Sequence, residues 1–251
     1  MVRHCSKGFA VIDFHTHILP GIDDGSSDAE MSVAMLRKER DQGVEEVIAT
    51  PHFDADRASV SSFLKRRSEA LEKLERAANK ESPALPKVRC GAEVYYFAGI
   101  GKALRVKELC VEQTHTLLLE LPFRPWDKEV LRDVEALIKE QALTVVLAHV
   151  ERYLAFQKDH VLWKEMLALP AVPQINAGNF LTKDHLFRRD RKKQFCLDLL
   201  REHPGVILGS DCHNLTSRRP NLAEGRAAIA DALGEEPLRR TDAVTRRVLE
   251  A

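Results

Sequence analysis

The sequence lacks several features that would assign it to a particular class of protein. It has no apolar run of the roughly 20 residues that a membrane-spanning helix requires. Its N-terminus, MVRHCSKGFAVIDFH, has neither the apolar core nor the cleavage site of a signal peptide. Its 38 lysines and arginines balance 38 acidic residues, which argues against broad electrostatic binding to nucleic acid or anionic lipid. The five cysteines are scattered without CxxC spacing, so neither a disulfide framework nor a zinc ribbon is indicated. These absences predict a cytoplasmic protein without membrane insertion or a nucleic-acid partner.

The composition is sufficient for one large α/β domain. The chain has 251 residues, of which 44% are hydrophobic, and two small domains are the alternative. Short apolar runs alternate with segments of helical spacing. Ser27 and Glu30 form a capping-box pattern that opens a helix with Met31, Ala34 and Met35 on one face. Such alternation favours a mostly parallel sheet or barrel, and we expect a single domain over residues 1–251 whose segment from about 221 to 251 is helical.

The apolar runs end in residues that bind metal ions. A parallel α/β barrel gathers the carboxyl ends of its strands on one face, where such barrels hold their active sites. Imidazoles and carboxylates that meet there make a site for several metal ions the first hypothesis. The runs are FAVIDFHTH, EEVIATPH, KVRCGAE, HTLLLELP, TVVLAHVER, AVPQIN and GVILGSDCHN. The residues at their ends are His15, His17, His52, Glu93, Glu120, His149, Asp211 and His213.

The candidate metal ligands at these strand ends, and Asp24 in the loop after the first run, each have an ordinary structural explanation when taken alone. His15 and His17 alternate on a strand and can reach one ion together, yet such pairs are common. Asp24 precedes a glycine, and Asp-Gly usually makes a turn. Glu120 lies inside an apolar run, where an unpaired carboxylate would cost several kcal/mol, so it requires a cation or a salt bridge to an arginine. The same accident at six strand ends is implausible, which favours the metal site.

In this order, the motifs resemble a known family. From about residue 12 to residue 220 the chain contains IDFHTHILPGIDDG, TPH, GAEVYY, LLLELP, AHVERY, QIN and GSDCHN, which is followed by Arg218. This set resembles the PHP (polymerase and histidinol phosphatase) superfamily. Within that superfamily it is similar to the bacterial protein-tyrosine phosphatases of the capsule and exopolysaccharide type.

The resemblance implies a distorted (β/α)7 TIM-like barrel with three divalent metal ions. Manganese is expected, with iron, zinc or cobalt as alternatives. Arg152 and Arg218 are implied to bind the phosphoryl group. The implied ligands are His15, His17, Glu93 and Asp211 for the first ion, His52, Glu93 and His149 for the second, and Asp24, Glu120 and His213 for the third.

The activity implied is the metal-dependent hydrolysis of phosphotyrosine, with a metal-bound hydroxide as nucleophile. The expected partner is the phosphotyrosine tail of a bacterial tyrosine autokinase that controls capsule or exopolysaccharide synthesis. A small-molecule phosphomonoesterase of the histidinol-phosphatase type and a non-catalytic barrel that binds the kinase are the alternatives. The sequence leaves the oligomeric state open.

A thiolate mechanism is a further alternative. Cys212 and Arg218 fit the Cys-x5-Arg spacing of the cysteine-dependent tyrosine phosphatases, but the five residues between them include no glycine. Cys212 also lies between Asp211 and His213, and strand alternation turns it to the other face. We therefore interpret Cys212 as a small buried core residue.

Overall fold

A computed structural model of the chain describes residues 10–79, 81–157, 160–182 and 190–250. The first nine residues, on which much of the signal-peptide prediction depends, lie outside the described part. The strands are β1 (Val11–Thr16), β2 (Val44–Ala49), β3 (His52–Phe53), β4 (Lys87–Cys90), β5 (Glu93–Tyr95), β6 (Thr116–Glu120), β7 (Thr144–Leu147), β8 (Val172–Asn176) and β9 (Ile207–Gly209). The α-helices are α1 (Ala29–Asp41), α2 (Val60–Ala78), α3 (Lys128–Lys139), α4 (His160–Ala168), α5 (Arg191–Glu202), α6 (Leu222–Leu233) and α7 (Glu236–Leu249).

The described strands pair in parallel in two sheets. The first has the order β1-β2-β4, and the second has the order β3-β5-β6-β7-β8-β9. Only two residues separate β2 from β3, and only two separate β4 from β5. Each of these pairs therefore acts as one interrupted strand that passes from the first sheet to the second, which gives seven strand positions.

The curled sheet closes where its last strand meets its first. Thr16 forms an isolated parallel bridge with Cys212. The backbone N–H of Asp211 donates to the carbonyl oxygen of His15 at 2.8 Å. The backbone N–H of His17 donates to the carbonyl oxygen of Cys212 at 2.9 Å. These contacts bring the chain after β9 beside β1. The prediction of a distorted seven-stranded barrel with outer helices is confirmed.

The core has two layers because side chains alternate along each strand. In β6, Leu118 packs in an inner cluster that includes strand residues from around the barrel. Leu117 and Leu119 pack in a larger cluster with side chains of the helices. Glu120 follows Leu118 by two residues, so alternation directs it to the inner face at the carboxyl end of its strand. Helix α7 contributes to the inner cluster through Val244, Val248 and Leu249.

The first helix begins one residue later than the capping-box pattern suggests. Asp28, not Ser27, is the N-cap, and its Oδ1 accepts a hydrogen bond from the N–H of Met31 at 2.8 Å. Ser27 instead donates to the Asp28 carboxylate at 2.7 Å. Because a carboxylate at the N-cap also interacts favourably with the helix dipole, Asp28 is the stronger cap. Among the described helices, none has the length and apolar character needed to cross a membrane.

Candidate metal centre

The residues predicted as ligands meet at the carboxyl end of the barrel. Each is placed by a strand or by the loop that follows it, since parallel strands end on one face. His15 lies in β1, His52 begins β3, Glu93 begins β5 and Glu120 ends β6. The remaining predicted ligands lie in the segments after β1, β7 and β9, and they are His17, Asp24, His149, Asp211 and His213.

Glu93 lies at the middle of this cluster and is 1% exposed. Its Oε2 lies 3.2 Å from Nε2 of His15 and 3.2 Å from Nε2 of His17. The same oxygen is 3.0 Å from Nδ1 of His52, and Oε1 is 2.8 Å from Nε2 of His149. One carboxylate thus faces four imidazoles with its two oxygens.

Seven of the nine predicted ligands form three sets, and the donor atoms of each set lie within 4.8 Å of one another; His149 and Asp211 belong to none of the three. Glu120 belongs to the set of His52 and Glu93, and its Oε1 is also 3.2 Å from Nε2 of His149. This differs from the division implied above, which placed Glu120 with Asp24 and His213. The cause is tertiary, because β6 is the neighbour of β5 and β7 and so brings Glu120 beside Glu93 and His149. The sets are His15, His17 and Glu93; His52, Glu93 and Glu120; and His17, Asp24, His52 and His213.

Hydrogen bonds on the outer side of two histidines turn their other nitrogens toward the cluster. Nδ1 of His17 lies 2.8 Å from Oδ2 of Asp23, and Nδ1 of His213 donates to the carbonyl oxygen of Asp211 at 3.0 Å. This leaves Nε2 of each ring directed inward, as in metal-binding histidines held by a carboxylate or a carbonyl. His17 Nε2 approaches His15 Nε2 to 3.1 Å. Two such nitrogens require a proton or a metal ion at that point.

The electrostatics of the cluster also fit cations. Burial favours a neutral imidazole, but the carboxylates of Asp23 and Glu93 outweigh it and raise the pKa of His17 to about 10. Glu120 and Glu93 likewise outweigh burial and raise the pKa of His149 to about 10. Despite its short approaches to three imidazoles, the buried Oε2 of Glu93 makes no hydrogen bond of regular geometry within the described part of the chain, and neither does Nε2 of His213. Nitrogen and carboxylate donors with this demand for positive charge suit divalent transition-metal ions, which replace such protons when they bind.

Two of the clustered residues have strained backbones. His149 has a φ of 30° and Asp211 a φ of 55°, in the left-handed region that non-glycine residues rarely adopt. Such conformations cost about 1–3 kcal/mol and persist where the surrounding structure holds them for function. Gly25 is required for packing, because a Cβ there would lie 2.2 Å from the carbonyl oxygen of His17. The loop over His17 therefore cannot close around a larger residue.

The two predicted phosphoryl-binding arginines reach the rim of the cluster. Nη2 of Arg218 donates to Oδ1 of Asp211 at 2.8 Å. The guanidinium of Arg152 lies 4.8 Å from the centre of the Phe123 ring, and its Nη1 is 3.9 Å from Oδ2 of Asp211. Their side chains remain 38% and 41% exposed. Both guanidinium groups are therefore accessible from a groove of about 400 Å³ whose lining also includes Asp211.

Cys212 points away from this groove, as alternation predicted. It is fully buried, and its Sγ lies 3.7 Å from Oε1 of Glu39 in α1. Burial, together with the neighbouring carboxyl groups of Glu39 and Asp13, raises the pKa of the thiol well above its usual range. The interpretation of Cys212 as a buried core residue is confirmed.

Asp23 is a residue that the sequence did not single out. Its side chain is 6% exposed, and its Oδ2 also accepts a hydrogen bond from the N–H of His52 at 3.0 Å. It therefore holds both His17 and the start of β3. The signal was the run Asp23-Asp24-Gly25 itself, in which two adjacent carboxylates are more than a turn requires. Asp24, whose side chain is 64% exposed, lies 3.4 Å from Nε2 of His213.

Comparison with known proteins agrees with this geometry. The family model described as capsular polysaccharide synthesis, CpsB/CapC, matches residues 11–244. The chain belongs to the CpsB/CapC family. The chain is 28% identical over 230 residues to the tyrosine-protein phosphatase CpsB of Streptococcus agalactiae. The match covers 90% of the chain and 92% of that relative. The chain is 29% identical over 230 residues to the tyrosine-protein phosphatase YwqE of Bacillus subtilis, with 90% of the chain and 86% of the relative covered.

The fold of this CpsB/CapC-family chain is also that of its solved relatives. The chain superposes with a TM-score of 0.78, at 24% sequence identity, on a structure from the pair YwqE of Bacillus subtilis and CpsB of Streptococcus pneumoniae. Those two proteins are described as unique metal-dependent tyrosine phosphatases. The match covers 96% of this chain and 95% of that chain. The resemblance to capsule-type phosphatases that the motifs indicated is confirmed.

Proposed function

We propose that the chain is a metal-dependent protein-tyrosine phosphatase. The observation that carries the proposal is the convergence of four imidazoles on the buried carboxylate of Glu93, beside two accessible arginines. The family and its curated relatives, which are tyrosine-protein phosphatases, support the same activity. The proposed ligands are His15, His17, Asp24, His52, Glu93, Glu120, His149, Asp211 and His213.

Three divalent ions, with manganese the first choice, fit the three donor sets. When bound, such ions neutralise phosphoryl charge and lower the pKa of water toward about 7, which supplies a nucleophile at neutral pH. Side chains of the protein bind the substrate and orient the ligands. Arg152 and Arg218 bind the phosphoryl oxygens through their planar forks and stabilise the charge that develops there. Asp23 holds His17 in the orientation that a ligand needs.

A second groove beside the cluster, distinct from the one that the two arginines line, supports an aromatic phosphate ester on a peptide. It has a volume of about 840 Å³, and its walls include Tyr95 and Phe53 next to His52 and Glu120. Tyr95 is 38% exposed, so its ring is available to contact an aromatic substrate. A tyrosine leaving group has a pKa of about 10 and needs less help from an acid than an alkyl alcohol does. The proposed physiological substrate is the phosphotyrosine tail of a bacterial tyrosine autokinase, presented in the cytoplasm.

Metal removal and return test this proposal. Protein stripped by a chelator is expected to lose its release of phosphate from a phosphotyrosyl peptide, and Mn²⁺ titrated back is expected to restore it. Histidinol phosphate, assayed in parallel, should be the poorer substrate in kcat/KM. Full activity in protein whose metal loss is verified would refute the metal mechanism. Faster turnover of histidinol phosphate would favour the small-molecule phosphatase, and a folded, metal-loaded protein without phosphatase activity would favour a binding role.

Cys212→Ser separates the metal mechanism from a thiolate mechanism. The variant is expected to retain most of the wild-type kcat, because Cys212 is buried on the other side of the strand end and its thiol stays protonated. Phosphate release from the same peptide at saturating Mn²⁺ is the measurement. A variant that is inactive although it keeps its fold and its metal content would replace the metal mechanism with nucleophilic attack by the thiolate.

A further inference from the structure

Two amides, the buried Gln174 and the half-buried Asn176, lie directly behind the proposed ligands, and neither had a role in the proposed function. Gln174 and Asn176 both belong to β8, separated by one residue, so they point to the same face. Gln174 is fully buried. Its Oε1 accepts a hydrogen bond from the backbone N–H of His149 at 2.7 Å and lies 3.1 Å from Nδ1 of His15. Its Nε2 donates to Oδ1 of Asn176 at 2.9 Å.

Asn176 continues the same chain of hydrogen bonds. Its Nδ2 donates to Oδ2 of Asp211 at 2.9 Å. The chain therefore runs from the ring of His15 through Gln174 and Asn176 to the carboxylate of Asp211. His15 and Asp211 are both proposed ligands, and Nε2 of His15 lies 3.6 Å from Oδ1 of Asp211. The two amides thus connect two neighbouring ligands from behind.

The direction of every hydrogen bond in this chain is fixed by its ends. An ionised Asp211 only accepts hydrogen bonds, so Asn176 must present its NH₂ group there and its Oδ1 to Gln174. Gln174 must then present its NH₂ group to Asn176 and its Oε1 to the other side. The backbone N–H of His149, which only donates, imposes the same orientation from the opposite end. With Gln174 Oε1 as acceptor, Nδ1 of His15 carries the hydrogen, and its Nε2 keeps a free lone pair.

We propose that Gln174 and Asn176 are positioning residues that set the tautomer of His15 and orient His15 and Asp211 as ligands of one ion. The inference rests on the proposed metal centre and adds residues that do not contact the ion. The surrounding packing holds this relay, the chain of hydrogen bonds from His15 through Gln174 and Asn176 to Asp211, in position. A Cβ at Gly209 would lie 2.6 Å from Cβ of His15 and 3.0 Å from Nε2 of Gln174, so β9 approaches both groups closely only because residue 209 is glycine.

Replacement of Gln174 by methionine tests the relay, because methionine fills a similar volume without either hydrogen bond. The affinity for Mn²⁺, measured by isothermal titration of stripped protein, is expected to fall about 10–100-fold, as is typical when a partner of a ligand is lost. In Zn²⁺-loaded wild-type protein, nitrogen-15 NMR should find the hydrogen of His15 on Nδ1. Asn176→Ala, at a less buried position, is expected to produce a smaller fall in affinity and serves if the methionine variant does not fold.

Gln157→Met is the matched control. Gln157 is also a buried glutamine, and it accepts from the N–H of Trp126 at 3.1 Å and donates to the carbonyl oxygen of Arg124 at 2.8 Å. Its replacement should cost stability without changing the affinity for Mn²⁺. Folded Gln174→Met or Asn176→Ala protein that binds Mn²⁺ as tightly as the wild type would overturn the relay. A wild-type protein that binds no metal would instead overturn the proposed centre.

Discussion

Glu93→Gln is expected to lower kcat for a phosphotyrosyl peptide by about 10³-fold or more and to reduce the number of bound metal ions. Glutamine has nearly the same shape, but it removes the negative charge that faces four imidazoles. A neutral amide also presents only one oxygen, so it would offer metal ions one ligand atom where the carboxylate offers two. A bound metal ion contributes several kcal/mol to the stabilisation of the transition state, and each 1.36 kcal/mol corresponds to about tenfold in rate.

The measurement is metal content by mass spectrometry together with kcat at saturating Mn²⁺. Glu46→Gln is the matched control, because Glu46 also lies in a barrel strand but pairs with Arg89 at 2.8 Å, away from the cluster. The control is expected to keep its metal ions and its kcat, with only a loss of stability. A Glu93→Gln protein that keeps the wild-type metal content and kcat would remove Glu93 from the centre.

Arg218→Ala is expected to lower kcat/KM for the same peptide by about 10²–10³-fold, the usual effect of removing one preorganised donor that faces developing charge. Arg218→Lys should recover only part of this loss, because an ammonium group cannot form two parallel hydrogen bonds to a phosphoryl group. Because Arg218 also contacts Asp211, the assay is run at saturating Mn²⁺ so that a change in metal affinity does not enter the result.

The neighbouring residue provides the control for Arg218. Arg219 pairs with Glu224 through two hydrogen bonds of 2.8 and 2.6 Å at the surface. Arg219→Ala is expected to leave kcat/KM within about twofold, since surface ion pairs of this kind contribute little. Equal losses in the two alanine variants would indicate damage to the loop rather than a phosphoryl clamp at Arg218. Arg152→Ala should reproduce the direction of the Arg218→Ala effect.

The residues that cluster at the carboxyl end of the barrel could be predicted from the sequence because their placement depends on short-range patterns. Each apolar run identifies a strand, and the polar residue that follows identifies the end of that strand. Parallel topology then places all such ends on one face. The burial of Cys212 followed in the same way, from its place between Asp211 and His213 and from alternation. Motif order was sufficient for the family, which the match over residues 11–244 confirms.

The sequence did not predict the N-cap residue of the first helix correctly. Ser27 and Asp28 are both good N-caps, so only the backbone path decided between them. The one-domain organisation over residues 1–251 and the assignment of each ligand to an ion stay predictions.

What the sequence determined by itself is the barrel class and the chemistry at its strand ends, because periodicity and residue type are local properties of the chain. Tertiary structure alone decided which of the clustered residues share a set. Glu120 lies with Glu93 and His149 because β6 is flanked by β5 and β7. It also decided which residues support the ligands, since Gln174 meets His15 across 159 positions of sequence. A hydrogen bond between such distant residues depends on the register and closure of the whole barrel, and no local pattern encodes those.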